Sequence, residues 1–255
     1  MDFSVIIVTH NSEKYILDCL NSIAKSAYEL KHEIFVIDNN SRDRTKYLVK
    51  QSEHDLTLIE NPENLGFAKA VNMGLKKSSG EFRLLINPDV TLKSDSLAPI
   101  IDFMRNNPKI GICGCKLLNG DGSLQYSKGS FPTLFSTFYR MVLPRKMRKY
   151  HLWGYKKAGR CDWVTGAFML LRDRVIEDVG YLDERYFIYY EDVDYCFRTK
   201  KAGWHTYYSP EISAFHLSPH ALSGKGIEIE NRIRESRLRY FKKHAFFPSY
   251  RKAQN

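Results

Sequence analysis

The chain has 255 residues, of which 43% are hydrophobic and 13% aromatic, enough for one large domain or two small ones. It carries a net charge of +10. No stretch approaches the roughly 18 consecutive apolar residues of a membrane span. The start of the chain lacks the basic and apolar regions of a signal peptide, and the five scattered cysteines do not indicate a disulfide framework. These features argue against membrane-spanning and disulfide-rich secreted proteins and predict a cytoplasmic protein.

The positive charge is concentrated in two segments. Residues 122–161 carry a net +9 and residues 231–252 a net +7, whereas the remainder carries −6. Such segments favour anionic lipid, nucleic acid or pyrophosphate-bearing substrates, and a merely solvated basic surface is the alternative.

The first half of the chain alternates predicted strands and helices. Short apolar runs predict strands at 3–8, 33–37, 56–59 and 82–86. Helical spacing predicts helices at 16–27, with Asn11 or Ser12 as N-cap, and at 67–77. Because strands alternate with helices, we expect an α/β fold with a mainly parallel sheet flanked by helices, as in Rossmann-like proteins.

The second half is predicted to be more varied. It contains predicted helices at 97–104, 191–202 and 227–244, a hairpin at 116–125 that turns on 119–122, and strands at 164–171 and 205–208. We expect a single domain over 1–255. It divides into a nucleotide-binding half at 1–110, a smaller acceptor and catalytic half at 111–220, and a basic helical segment at 221–255.

Polar side chains follow several predicted strands of the first half. Thr9, Asp38 and Asp89 lie at strand ends, where open α/β sheets bind ligands. Pro88 ends the pairing of its strand, so Asp89 is positioned to hold a divalent cation against a phosphate. The alternative is that Asp89 only opens a turn. Neither a GxGxxG nor a Walker A motif is present, which argues against dinucleotide and P-loop enzymes.

Two adjacent carboxylates, Glu191 and Asp192, follow the aromatic stretch 186–190. This pattern indicates a lined pocket that opens onto a helix N-terminus, where burial and the helix dipole shift carboxylate pKa values in opposite directions. The alternative is an ordinary helix start with acidic residues in its first turn, and Asp194 is assigned to that alternative.

Six motifs in order resemble glycosyltransferases of family 2, in the rhamnosyltransferase-like branch. They are VIIVTHNS at 5–12, VIDNNS at 36–41, NLGFA at 64–68, NPD at 87–89, WVTGA at 163–167 and YEDVD at 190–194, and the resemblance covers about residues 3–216. It implies a GT-A fold, a nucleoside-diphosphate-sugar donor, a divalent metal (Mn²⁺ or Mg²⁺) and inversion at the anomeric carbon.

The resemblance also assigns roles to residues. Asp89 matches the metal-binding aspartate of an Asp-x-Asp motif whose first position is Asn87 here, and His216 resembles a histidine that completes the metal site. Asp192 matches the catalytic base, with Glu191 beside it, and Trp163 and Gly166 match an acceptor-side wall. The residues assigned to the nucleotide-sugar donor are Thr9, Asn11, Asp38, Asn64, Lys69 and Asn87.

The resemblance therefore implies an inverting, metal-dependent hexosyltransferase of cell-surface polysaccharide or lipopolysaccharide synthesis. It also implies dTDP-L-rhamnose as the donor, with a UDP-sugar as alternative, and a lipid-linked saccharide as the acceptor. The basic segments, including 145–149, predict peripheral attachment to an anionic membrane on the cytoplasmic face. Two other classes are alternatives: a nucleic-acid-binding protein, which would explain the basic segments but not the strand-end carboxylates, and a nucleotidyltransferase with a similar sheet.

Overall fold

The computed structural model describes residues 1–93, 97–133, 154–217 and 226–244. The strands in these ranges are β1 Phe3–Thr9, β2 His32–Asp38, β3 Thr57–Glu60, β4 Phe82–Ile86, β5 Val90–Leu92, β6 Ile110–Leu118, β7 Lys128–Gly129, β8 Gly159–Cys161, β9 Trp163–Val164, β10 Phe168–Arg172 and β11 His205–His216. The helices are α1 Ile16–Ser26, α2 Thr45–Lys50, α3 Phe67–Lys77, α4 Leu97–Asn106, α5 Asp173–Val179, α6 Glu191–Lys201 and α7 Gly226–Lys243. None of the described helices is long and apolar enough to cross a membrane.

A nine-stranded mixed sheet organises the fold. Its order is β3-β2-β1-β4-β10-β6-β11-β5, with β8 paired to β11. Strands β3, β2, β1 and β4 are parallel, so their carboxyl ends share one edge, where Thr9 lies opposite Asp38. Strand β10 is antiparallel to both β4 and β6 and joins the two halves of the sheet. The expected α/β class is confirmed, with parallel pairing concentrated in the first half.

Helices cover both faces of the sheet. Successive side chains of a strand point to opposite faces, so β1 contributes Val5 and Ile7 to one core cluster and Ile6 to the other. The first cluster packs under α1 and α4, through residues such as Leu20. The second packs under α3, α5 and α6, through residues such as Val71. This double burial explains why the central strands are apolar runs rather than alternating ones.

Helix α1 does not begin as its sequence predicts. Its N-terminal flank is Tyr15, and no side chain caps it. Asn11 instead adopts a left-handed conformation (φ 56°), and its side-chain oxygen accepts a hydrogen bond from the Arg42 amide at 2.8 Å. The Ser12 carbonyl accepts the Ile16 amide at 3.1 Å, so a turn precedes the helix. Asn11 and Ser12 therefore shape a loop, and the predicted N-cap is wrong.

Two strands of the second half also differ from their predictions. The predicted strand at 164–171 is two strands, β9 and β10, because the chain turns between Thr165 and Phe168, where the Phe168 amide bonds the Thr165 carbonyl at 3.3 Å. The predicted strand at 205–208 continues to His216 as β11. Pro210 lies at an irregularity in the pairing of β11 with β6, between Ser209 and Ser213, so the sequence pattern does not show that the strand continues.

The predicted hairpin turn is present, with the Gly122 amide bonded to the Asn119 carbonyl at 2.9 Å. The cysteines are free, as expected.

Candidate active site

A cavity of about 1290 Å³ lies at the edge of the sheet where β1 and β4 end. Both halves of the chain line it, so the tertiary fold brings together side chains that are up to about 200 residues apart in sequence. The predicted site residues found in its wall are Asn11, Asn64, Asn87, Asp89, Trp163, Gly166, Glu191, Asp192 and His216. Thr9, Asp38 and Lys69 are not among the wall residues.

Thr9 and Asp38 lie beneath the cavity rather than in its wall. Both are buried, and the Thr9 hydroxyl donates to Asp38 Oδ1 at 3.2 Å. The Ser41 amide donates to Asp38 Oδ2 at 3.0 Å, which closes the turn after β2. Asp38 therefore shapes this loop from below, while Lys69 is exposed on α3.

Asn39 joins the loops at this end of the cavity, although no sequence pattern distinguishes it from its neighbours. Its amide nitrogen donates to Asn64 Oδ1 at 2.8 Å, and its amide oxygen accepts the Leu65 amide at 2.9 Å. Its backbone carbonyl contacts His10 Nδ1 at 2.9 Å. Asn39, Asn64 and His10 all line the cavity. This network of polar groups is suited to binding the polar portion of a nucleotide.

Asp89 and His216 face each other across the sheet edge. Both are about 95% buried, and Asp89 Oδ1 lies 3.2 Å from His216 Nε2. The pairing of β11 with β5 places His216 opposite Val90, which brings the histidine to the aspartate. Gln125, which sequence reasoning missed, contacts His216 Nδ1 through its amide oxygen at 2.6 Å. That oxygen only accepts, so Nδ1 carries a hydrogen, and Nε2 is the ring nitrogen that faces Asp89.

This arrangement fits a divalent cation. The Asp89 carboxylate oxygen and the His216 ring nitrogen lie 3.2 Å apart, close enough for both to bind one cation. A carboxylate oxygen with an imidazole nitrogen suits Mn²⁺, and the Gln125 contact is the outer support that metal-binding histidines usually have. No cluster of three or more His, Cys, Asp or Glu side chains suited to a metal occurs in the described part of the chain. The cation would therefore need further ligands, which a diphosphate and water can supply.

The two adjacent carboxylates occupy different environments. Asp192 is half-buried; its Oδ2 accepts the Gly166 amide at 3.1 Å and its Oδ1 the Val193 amide at 2.8 Å. Glu191 is 5% exposed, and its Oε2 is buried without a hydrogen-bond partner among the described residues. Thus Asp192 is the more accessible carboxylate, and Gly166 orients it.

Burial and hydrogen bonding affect the pKa values of the two carboxyl groups differently. It raises the pKa of Glu191 well above its usual range, and the neighbouring Asp192 charge raises it further. Burial also raises the pKa of Asp192, but the hydrogen bonds from the Gly166 and Val193 amides favour its charged form and oppose the rise. Backbone hydrogen bonds thus favour the charged form of Asp192, whereas burial and the neighbouring charge favour the protonated form of Glu191. Both carboxylates line the cavity.

The far end of the cavity is aromatic and basic. The Trp163 ring meets the Tyr126 ring edge-on at 5.2 Å, and its indole nitrogen donates to the Ser130 carbonyl at 3.0 Å. Lys128 places its ammonium 4.2 Å from the centre of the Tyr208 ring, and burial lowers its pKa. Of the described wall residues here, Lys128, Arg160 and Lys200 are basic and only Asp162, which is paired with Lys200 at 2.8 Å, is acidic. This end suits a ligand with apolar and anionic parts.

The fold and site agree with comparisons to known proteins. Residues 4–180 match the family model described as glycosyl transferase family 2, and the chain belongs to this family. It is a glycosyltransferase with a GT-A fold. The charge distribution alone allowed either an enzyme or a nucleic-acid-binding protein, and family membership favours the enzyme.

Curated relatives support this assignment. The chain is 29% identical over 235 residues to the N-acetylglucosaminyl-diphospho-decaprenol L-rhamnosyltransferase of Mycobacterium tuberculosis, covering 85% of this chain and 76% of the relative. It is 26% identical over 224 residues to the low-salt glycan biosynthesis hexosyltransferase Agl10 of Haloferax volcanii, covering 86% of this chain and 68% of the relative.

Solved structures share the fold. The mannosyltransferase PcManGT from Pyrobaculum calidifontis, in complex with GDP-Man and Mn²⁺, matches this chain with a TM-score of 0.66 at 19% identity. The match covers 95% of this chain and 63% of the PcManGT chain. Residues 1–349 of TarS from Staphylococcus aureus, in complex with UDP, match with a TM-score of 0.62 at 21% identity. The match covers 96% of this chain and 74% of the TarS chain. At these identities the likeness establishes the fold alone.

Proposed function

We propose that this glycosyltransferase is inverting and metal-dependent and transfers L-rhamnose from dTDP-L-rhamnose to a lipid-linked saccharide. One observation carries the mechanistic part: Asp192, a half-buried carboxylate oriented by the Gly166 amide, lines the same cavity as the Asp89–His216 pair. A base and a diphosphate-binding centre in one cavity are what a single displacement at an anomeric carbon needs.

The reaction is a direct displacement. Asp192 takes the proton of an acceptor hydroxyl, and the oxygen attacks the anomeric carbon as the bond from that carbon to the diphosphate oxygen breaks. The nucleoside diphosphate leaves with the electron pair, and the anomeric configuration inverts. Asp192 is the proposed base because it is the more accessible of the two carboxylates and is oriented by the Gly166 amide, whereas Glu191 beside it is almost fully buried.

The departing diphosphate must be neutralised as its charge develops. Asp89 and His216 would hold a divalent cation, which supplies that neutralisation when bound. Gln125 keeps Nε2 of His216 available for it. Asn87 lies beside the pair, with its amide nitrogen 3.4 Å from His216 Nε2.

The donor and acceptor are proposed from the relatives and from the charge of the cavity. The relative in Mycobacterium tuberculosis is named as an L-rhamnosyltransferase acting on a diphospho-decaprenol-linked sugar. Lys128 and Arg160 at the far end of this cavity offer cations for an acceptor diphosphate, and Trp163 and Tyr126 offer apolar surface for its sugar. A UDP-sugar remains the alternative donor, since the same polar loops suit either nucleotide.

Peripheral membrane attachment follows from a lipid-linked acceptor. On α7, Arg234, Arg239 and Lys242 are exposed, and Leu238 between them is 46% exposed. Each Lys or Arg near an anionic surface contributes about 1 kcal/mol, so several together suffice for reversible binding. The other predicted basic cluster, at 145–149, lies outside the described residues.

A ligand screen tests the proposal. Thermal unfolding is measured with dTDP-L-rhamnose, UDP-N-acetylglucosamine or GDP-mannose, each with and without Mn²⁺. A donor at about 100 times its dissociation constant should stabilise the fold by roughly 2.7 kcal/mol. We expect Mn²⁺-dependent stabilisation by dTDP-L-rhamnose and, with a diphospho-lipid-linked N-acetylglucosamine acceptor, a product of inverted anomeric configuration by mass spectrometry and NMR.

The screen also separates the alternatives. Stabilisation and transfer with the UDP-sugar alone would replace the donor. Turnover of a sugar phosphate with a nucleoside triphosphate would indicate a nucleotidyltransferase. No stabilisation by any nucleotide sugar, together with no transfer, would refute the proposed function.

A further inference from the structure

Helix α7 packs directly on the helix that carries the catalytic carboxylates. Its residues Tyr240 and Phe241 are buried and form one apolar cluster with Tyr186 and with Val193 of α6. The family match ends at residue 180, so this contact lies outside the matched region. The apolar side chains of this helix are therefore partly covered: Phe241 is buried, while Leu238 remains exposed.

A buried ion cluster anchors the end of α7. The Asp194 carboxylate, in the first turn of α6, is fully buried and contacts Lys243 Nζ at 2.7 Å, His244 Nε2 at 2.8 Å and Arg198 Nε at 2.9 Å. Lys243 also contacts Asp183 at 2.7 Å. Burial alone would raise the pKa of Asp194, but the His244 and Lys243 contacts outweigh it and hold the pKa below its usual range. Lys243 thus joins two carboxylates at either end of the segment 183–194.

The segment between these anchors is strained. Tyr189 and Tyr190 both have φ 68°, a left-handed conformation that is unfavourable for residues with side chains, and they lead directly into Glu191 and Asp192. Strained backbone of this kind persists only where the surroundings hold it. The Ser236 hydroxyl of α7 holds one side by donating to the Ile188 carbonyl at 2.9 Å. The Phe67 amide of α3 donates to the neighbouring Phe187 carbonyl.

Helix α7 also reaches the cavity itself. Ile233, one turn before Ser236, lines it together with residues 187–190. The helix is therefore attached to the catalytic segment at its end, bonded to that segment at Ser236 and part of the cavity wall at Ile233.

We propose that α7 contributes two residues to the active site. Lys243 is a positioning residue that holds the 183–194 segment in the geometry that directs Asp192. Ile233 is a specificity-determining residue in the wall of the acceptor site. The statement about Ile233 rests on the proposed function. The statement about Lys243 is testable without it.

The first experiment measures hydrogen–deuterium exchange in the whole chain. Lys243→Met removes the ammonium that joins Asp183 and Asp194, and Lys242→Met is the matched control because its side chain is exposed on the same helix. We expect amides of 186–195 to exchange about tenfold faster in Lys243→Met, unchanged in Lys242→Met and nearly restored in Lys243→Arg. Equal exchange in Lys243→Met and Lys242→Met would overturn the positioning role. If Lys243→Met does not fold, Lys243→Gln takes its place, and wild-type exchange there would overturn the role equally.

The second experiment separates positioning from general stability. Well below the unfolding temperature, Lys243→Met should lower kcat about tenfold or more, while the KM for dTDP-L-rhamnose stays within about twofold, since small misplacement of a base is costly. An unchanged kcat in spite of faster exchange, or a donor KM that rises as much as kcat falls, would refute the role.

The third experiment tests the wall. Ile233→Ala should raise the KM for a prenyl-diphospho-N-acetylglucosamine acceptor about fivefold without changing the donor KM, whereas Ile227→Ala, exposed on the same helix, should not. Equal effects of the two substitutions would overturn the specificity role. If the wild type transfers no sugar, the proposed function and the wall both fall, and the exchange experiment alone decides the role of Lys243.

Discussion

Replacing Asp192 by asparagine tests the proposed chemistry most directly. The substitution keeps the shape of the side chain but removes its capacity to take a proton. Loss of a general base costs roughly 10²- to 10⁴-fold in turnover, which is about 2.7–5.4 kcal/mol in the barrier. In the structure Asp192 accepts two backbone amides, from Gly166 and Val193, and an asparagine oxygen can keep one of them. A lost hydrogen bond costs about 0.5–1.5 kcal/mol, or up to roughly tenfold, so any larger fall in kcat reports the base.

The matched control is Glu191→Gln. Burial raises the pKa of Glu191 well above its usual range and so favours its protonated form, which glutamine resembles in shape and charge. We expect kcat to stay within about tenfold of the wild type, because no proton acceptor is lost. The assay is steady-state transfer by mass spectrometry, with donor binding measured by calorimetry to show that both variants still bind nucleotide sugar. A larger loss in Glu191→Gln than in Asp192→Asn would show that the base is assigned to the wrong carboxylate.

The pH dependence follows from the same environment. Burial raises the pKa of Asp192, so its proton is lost only above the usual aspartate value of about 3.9. As pH falls through the raised pKa the base becomes protonated, and kcat/KM should fall in proportion. Asp192→Asn should lack this acid limb while retaining its residual rate. An acid limb of the same midpoint in that variant would contradict the assignment.

Three further predictions follow from other parts of the molecule. Asp89→Ala should leave the circular dichroism spectrum unchanged but weaken Mn²⁺-dependent binding of dTDP at least about tenfold by calorimetry, since it removes a buried metal-facing carboxylate; unchanged affinity would count against the metal site. Gly66→Ala should destabilise the fold by about 1–3 kcal/mol in urea unfolding, because Gly66 has φ 83° and an added Cβ would lie 2.7 Å from the Phe187 carbonyl oxygen; wild-type stability would show that the loop can move aside. The double substitution Arg234→Gln and Arg239→Gln should reduce the fraction of protein that sediments with anionic vesicles. The wild type should not bind neutral vesicles, and its binding to anionic vesicles should disappear as salt is raised. Equal binding to both vesicle types would exclude electrostatic attachment.

Much of the first half was predictable because its signals are local. The apolar runs of β1, β2 and β4 are short and bounded by turn residues, so strand type and approximate bounds follow from the residues themselves. Asp89 could be placed at a strand end because Pro88 cannot continue the ladder. Glu191 and Asp192 could be placed at a helix start, which the bounds of α6 confirm.

The second half depended on contacts that no local pattern encodes. The insertion of β10 between β4 and β6, and the continuation of β11 past Pro210, depend on which strands pair. The sequence singled out Asp89 and His216, but only the pairing of β11 with β5 shows that they meet, and only the fold brings Gln125 to the same histidine.

Asp194 illustrates the same limit at a single residue. In sequence it is one more acidic residue in the first turn of a helix, where the helix dipole accounts for it. In the structure it is fully buried and contacts Lys243 and His244, about fifty residues further along the chain. Burial of a charge is stable only when opposite charges enclose it, and which cations do so is decided when α7 packs against α6. The sequence by itself determined strands β1 to β4 and the polar residues at their ends. The tertiary structure decided which distant side chains share one cavity, because that depends on long-range packing rather than on local periodicity.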